Sequence, residues 1–128
     1  MINFFSKYKI IFYIFNFTLV FFYLFPGSIL GWFFYKNLQS QPQITPDFIV
    51  STNHFYAFFV LSIIGFLTYV RLSKYIFLNI YLILLSIILE ALHYYIPERR
   101  FELSDLFGNL AGVLVVIIIF YLFKKNEN

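Results

Sequence analysis

The chain has no cysteine, which excludes disulfides, thiolate nucleophiles and cysteine-ligated metals together. It is also poor in charge: 12% of its residues are Asp, Glu, Lys or Arg, against 62% that are hydrophobic. A soluble domain of 128 residues needs more polar side chains than this to cover its exterior. Lipid is the solvent that removes the difficulty. Motifs for common chemistries are missing as well. There is no P-loop, GxSxG, HExxH or GxGxxG run, so nucleotide binding and acyl transfer have no sequence support. An RNP motif, a zinc finger and a basic stripe are also absent, so nucleic acid is not an expected partner. The formal charge of +3 comes from short basic clusters at the ends of apolar runs, which is how membrane topology is written.

What the chain has in abundance is apolar length. A helix needs about 20 predominantly apolar residues to cross a bilayer, and four stretches meet or approach this: about 10–30, 53–70, 75–96 and 105–123. Backbone groups in lipid must be satisfied within the segment, and the runs lack the alternation of transmembrane strands, so helices are expected. The fold class is therefore all-α: a polytopic membrane protein with four transmembrane helices in one bundle, residues 1–128 forming a single domain. The first run has the basic start of a signal peptide (Lys7, Lys9), but it is long and leads into Phe25-Pro26-Gly27-Ser28 rather than a small-residue cleavage site. It reads as an uncleaved helix, kinked or ended by Pro26 and Gly27, with Trp32 and Tyr35 suited to the interfacial belt. Aromatic content is 25%, part of it a compositional bias, so single aromatics carry no functional reading.

Orientation follows from the basic residues. Six of the nine Lys and Arg fall at one end of the bundle: Lys7, Lys9, Arg71, Lys74, Lys124 and Lys125. The other three are Lys36, Arg99 and Arg100. The asymmetry predicts both termini in the cytoplasm. The outer loops are then about 36–52, a polar connection rich in Gln and Pro, and about 97–104.

Ionisable residues within spans are costly and mark functional positions by default. Glu90 is the one acid deep in an apolar run, and Ser86, Glu90 and His93 share a helix face at i, i+4 and i+7. Asp105, Asn109 and Gly112 do the same on the last helix, and His54 opens the second. The expected topology brings His54, Glu90, His93, Arg99, Asp105 and Asn109 to one outer end, although none of these except Arg99 entered the orientation argument. Each has a structural reading too. Asp105 can cap its helix, Glu90 can pair with Arg99, Asn109 and Gly112 can join helices, and His54 can be merely interfacial. Taken together, acids, imidazoles and a cation favour a functional cluster. His54, Glu90, His93 and Asp105 are also metal-ligand types, but di-iron bundles use two Glu-x-x-His motifs and only one is present. No metal and no cofactor are expected.

The run Glu90-Ala91-Leu92-His93-Tyr94-Tyr95-Ile96-Pro97-Glu98-Arg99, then Ser104-Asp105-Leu106-Phe107-Gly108-Asn109-Leu110-Ala111-Gly112, resembles the VanZ-like family, as does His54-Phe55-Tyr56-Ala57-Phe58. That family's pattern is a Glu, a Gln or His three on, Pro-x-Arg, Asp-x-x-x-Asn-x-x-Gly, and an upstream His-Phe-x-Ala-Phe/Tyr. Ser51-Thr52-Asn53 replaces its frequent Asp-Lys, His93 stands where Gln is common, and Val115-Val116 replaces a late glycine. The resemblance covers about the last 75 residues and singles out His54, Glu90, His93, Pro97, Arg99, Asp105, Asn109 and Gly112. It implies a bacterial, multi-pass inner-membrane protein; the family is named for a member that gives low-level teicoplanin resistance.

Three functions are compatible with the sequence. One is a non-enzymatic envelope protein that binds an amphiphile or lipid-linked ligand at the outer leaflet, with Arg99 on a phosphate or carboxylate. A second is a membrane-embedded enzyme acting on a lipid-linked envelope precursor, with Glu90 or Asp105 as base and His54 or His93 as acid. The third is a scaffold for a membrane-protein partner or for copies of itself.

Overall fold

The computed structural model describes residues 1–70 and 74–126. Six helices run in chain order: α1 (Ile2–Lys7), α2 (Ile10–Leu24), α3 (Ile29–Tyr35), α4 (Thr52–Tyr69), α5 (Tyr75–Leu92) and α6 (Leu103–Asn126). Helices α4, α5 and α6 are each long and apolar enough to cross a membrane, and the bent pair α2–α3 adds a fourth candidate. Their surfaces agree with this. Phe17, Phe77, Ile80 and Ile118 are more than half exposed along the helices, an outward apolar face that water would not tolerate but lipid does. Arg71, one of the residues used to orient the chain, lies outside the described residues.

The first run departs from the expected single helix over 10–30. Phe25 is extended and Gly27 has φ 86°, a left-handed conformation that glycine adopts without strain. Pro26, between them, supplies no N–H to continue the ladder. The helix stops at Leu24 and restarts at Ile29 with its axis turned by 74°, its start capped by Ser28 Oγ on the Gly31 N–H. The 15 residues of α2 span about 22 Å at the usual rise, short of a hydrocarbon core of ~30 Å. The third run also ends early, at Leu92 rather than Ile96. His93, Tyr94 and Tyr95 bond back to Glu90, Ala91 and Leu92 as tight turns, and Pro97 biases Ile96 away from helix.

The four long helices alternate in direction. The beginning of α2 meets the end of α4, where the Phe12 and Tyr69 rings lie 5.5 Å apart and the Tyr69 hydroxyl donates to Tyr13. The beginning of α5 meets the end of α6 there too, with Lys124 Nζ 4.3 Å from the Tyr75 ring centre. The opposite end therefore collects the C-termini of α2 and α5 and the N-termini of α4 and α6. In the connecting loop, Asp47 accepts the Thr52 N–H at 2.9 Å. That bond, followed by one from Gln43, holds the Asp47 carboxyl below its ordinary pKa and ties the loop to the start of α4.

Helix α4 is the central element, packed on α6 along a seam of small residues. A β-carbon at Gly108 would stand 2.5 Å from the Ser51 carbonyl oxygen, and one at Gly112 would stand 2.5 Å from that of Phe55. The two backbones touch where these glycines lie one turn apart. Phe58, Leu61, Leu82, Val113 and Val116 fill the core beside this seam. Gly112→Ala should therefore destabilise the bundle by about 1–3 kcal/mol, measured by unfolding in mixed micelles. Gly65→Ala is the contrast. Its new methyl would meet only the Leu78 and Phe12 side chains, at 3.0 and 3.1 Å, and it gains helix propensity, so its stability should stay close to wild type.

Candidate functional site

Four helix ends supply the site. Tyr23 is in the last turn of α2, His54 in the first turn of α4, Glu90 in the last turn of α5 with His93 just beyond it, and Asp105 and Asn109 open α6. Glu90 and Asn109 have no exposure, His93 has 2% and His54 6%, while Asp105 is only partly covered. Alternating helix directions thus bring together five of the six polar residues expected to cluster, and Arg99 lies over the same space.

Asn109 sets the protonation pattern. Its Nδ2 donates to the Ser86 carbonyl at 3.3 Å, so its Oδ1 is fixed as an acceptor. That oxygen receives the Tyr23 hydroxyl at 2.7 Å and faces His54 Nδ1 at 3.1 Å, which makes Nδ1 the protonated nitrogen of His54. The same logic fixes His93: its Nε2 lies 2.9 Å from the Tyr23 carbonyl oxygen and must be the donor. Tyr23 holds both imidazoles at once. Its ring stacks on His93 at 5.7 Å and meets His54 edge-on at 5.0 Å.

The second nitrogen of each imidazole faces a carboxylate. His93 Nδ1 is 3.3 Å from Glu90 Oε2, and His54 Nε2 is 3.5 Å from Asp105 Oδ2. Glu90 Oε1 accepts the Glu102 N–H at 3.0 Å. Oε2 is buried without a hydrogen-bond partner, with His54 Nδ1 3.9 Å away on its other side. In the neutral tautomers His93 Nδ1 and His54 Nε2 each carry a lone pair, and a lone pair facing a carboxylate oxygen is unfavourable unless positive charge lies between them. The arrangement is suited to holding protons or a cation.

Arg99 does not pair with Glu90, one of its expected partners. Its Nε donates to the Phe25 carbonyl at 3.1 Å and its Nη2 to that of Phe22 at 2.9 Å, carbonyls released where α2 breaks. Burial lowers the Arg99 pKa, yet a guanidinium stays charged. Its unused N–H groups border two adjoining spaces. One is a polar cavity of about 550 Å³ that also touches His93, Asp105, Arg100 and Glu102. The other is an apolar cleft of about 490 Å³ between α2 and α4, lined by Phe15, Leu19, Phe22, Ala57 and Val60. Ser28, Gln41, His93 and Arg99 line both.

Pro97 and Gly112 lie outside the cluster, Pro97 in the exposed turn after α5 and Gly112 in the α4–α6 seam. Two contributors were not singled out from the sequence. Tyr23 is one of 11 tyrosines and nothing local marks it. Gly108 carried a signal, since it precedes Gly112 by four residues in the small-xxx-small spacing of close helix pairs.

If Asn109 is the hub, removing one bond and removing the hub should differ. Tyr23→Phe should cost roughly 0.6–1 kcal/mol, the usual value of an interhelical hydrogen bond in a membrane protein. Asn109→Leu strands the Tyr23 hydroxyl and His54 Nδ1, and should cost at least about 2 kcal/mol; unfolding in mixed micelles measures both. Comparison with protein-family models, curated proteins and solved structures returns no match for this chain.

Proposed function

We propose that this chain is a VanZ-like protein of the bacterial inner membrane that binds an amphiphilic or lipid-linked ligand at the outer leaflet. In this reading the bent pair α2–α3 is the first of four spans and both termini are cytoplasmic. The basic residues Lys7, Lys9, Lys74, Lys124 and Lys125 at the end remote from the cluster support that orientation. The motif residues His54, Glu90, His93, Arg99, Asp105 and Asn109 support the family, five of them meeting in one cluster and Arg99 bordering the same cavity.

The observation that carries the binding reading is the pair of adjoining spaces, one polar and one apolar, with Arg99 and His93 at their junction. A ligand with a charged head and a hydrocarbon tail matches that division. The tail lies in the cleft between α2 and α4, and a phosphate or carboxylate takes the free N–H groups of Arg99. Binding such a molecule would change how a drug such as teicoplanin reaches the membrane surface. A second reading, catalysis on a lipid-linked precursor, draws on the acid–imidazole contacts at 3.3 and 3.5 Å, which would have to tighten to about 2.6–3.2 Å for direct proton transfer.

Expression in a teicoplanin-susceptible bacterium tests the first reading, with susceptibility normalised to folded protein in the membrane. Wild type should lower susceptibility. Arg99→Ala, which removes the head-group contact, and Ala57→Trp, which fills the cleft, should each return it to the level of empty cells. Ile118→Trp, on the exposed face of α6, should behave as wild type. No effect of wild type ends the resistance reading. Equal protection by all three variants removes the two cavities from it. Turnover of a lipid-linked precursor by purified protein, abolished in Glu90→Gln, would favour the enzyme instead.

A further inference from the structure

We propose that His54, Glu90 and Asp105 form a binding site for a single divalent transition-metal ion, with Zn²⁺ as the preferred occupant. One donor atom from each of the three lies within 4.8 Å of the other two. Ligand atoms around one Zn²⁺ at bond lengths near 2 Å stand roughly 3–4 Å apart, so modest contraction closes the shell. His93 Nδ1, 3.3 Å from Glu90 Oε2, borders this group of three without belonging to it. Nitrogen and oxygen donors of this mix suit Zn²⁺ better than Ca²⁺ or Mg²⁺, which take oxygen alone.

Three further features point to an ion. Glu90 Oε2 is fully buried, has no hydrogen-bond partner among the described residues and is turned into the cluster, which native proteins seldom allow without a cation or proton nearby. Both imidazoles are fixed by acceptors on one nitrogen, His93 Nε2 by the Tyr23 carbonyl and His54 Nδ1 by Asn109 Oδ1, which leaves His54 Nε2, 3.5 Å from Asp105 Oδ2, as its donor. That is the outer-shell arrangement of metal-bound histidine, in which the second N–H is anchored and the other lone pair presented. Finally, with both acids ionised and both imidazoles neutral the cluster carries two negative charges at the end of apolar helices. Arg99 makes no ion pair with either acid among the described residues, its bonds going to backbone carbonyls. A divalent ion neutralises the cluster, where burial of uncompensated charge is expensive.

His54, Glu90, His93 and Asp105 are legible in the sequence as ligand types; the expectation of no metal rested on the want of a second Glu-x-x-His motif, which a site for one ion does not need. The inference does not depend on the amphiphile reading, although the site borders the polar cavity through Asp105 and His93.

The test uses the full chain in detergent, freed of any affinity tag, stripped with a chelator and dialysed against Zn²⁺ or Co²⁺. Wild type should retain one Zn²⁺ per chain by elemental analysis, and Co²⁺ should give the intense visible bands of a four- or five-coordinate centre, displaced by Zn²⁺. Glu90→Gln and Asp105→Asn should weaken binding by more than the roughly 10–100-fold typical of losing an outer-shell partner. Asn109→Ala, which frees the His54 ring, should fall within that range. Binding unchanged in a folded Glu90→Gln or Asp105→Asn protein overturns the site. So does a wild-type Co²⁺ spectrum no different from the free ion, which would assign the buried contacts to shared protons. Should both carboxylate variants fail to fold, the wild-type spectrum and Zn²⁺ stoichiometry decide alone.

Discussion

A carboxylate with no exposure, placed in a chain whose solvent is lipid, must find every partner inside the protein. Glu90 sets that requirement, and four helix ends answer it. One oxygen takes the Glu102 N–H, which pins the chain leading into α6. The other faces the two imidazoles, His93 being held at its far nitrogen by the Tyr23 carbonyl and His54 at Nδ1 by Asn109. Removing any one member leaves a buried polar group without a partner, which costs more than the bond itself contributes.

The same end of the bundle resolves the break in the first apolar run. Stopping α2 at Leu24 leaves carbonyls of its last turn without amides, a severe defect in or near lipid. Arg99 supplies two donors to them. The arginine is thus tied to the backbone of α2 while its remaining N–H groups stay available, so its position is set before any ligand arrives. Preorganisation of this kind lowers the entropy lost on binding. Fold and site are linked here: Tyr23, at the broken end of α2, both orients the imidazoles and lines the apolar cleft.

Much of this was legible in the sequence because ionisable residues stand out in apolar runs. Glu90, His93, His54, Asp105 and Asn109 were found from their spacing and from the alternating helix directions, with no structural input. Tyr23 was not, since its role depends on the register of α2 against α6 and a tyrosine in an aromatic-rich chain carries no local mark. The backbone partners of Arg99 were not foreseen either. A pair with Glu90 was one structural alternative, but the carbonyls freed by the Pro26 break needed donors, and a break of unknown angle cannot be matched to them in advance. Pro26 and Gly27 marked where the first run yields; that the chain turns by 74° is a property of how α3 seats, with Gly27 against Leu38.

The apolar cleft lies between α2 and α4 on the flank of the bundle. On the proposed reading, a hydrocarbon tail would reach it from the surrounding leaflet. Its concentration is then a surface density among neighbouring lipids, set by mole fraction in the leaflet and not by molarity in the medium. Occupancy would follow membrane composition, and any bulk lipid with a fitting head group would compete as the surrounding solvent does. For such a site, selectivity has to come from the polar end, because every molecule in the leaflet offers a tail.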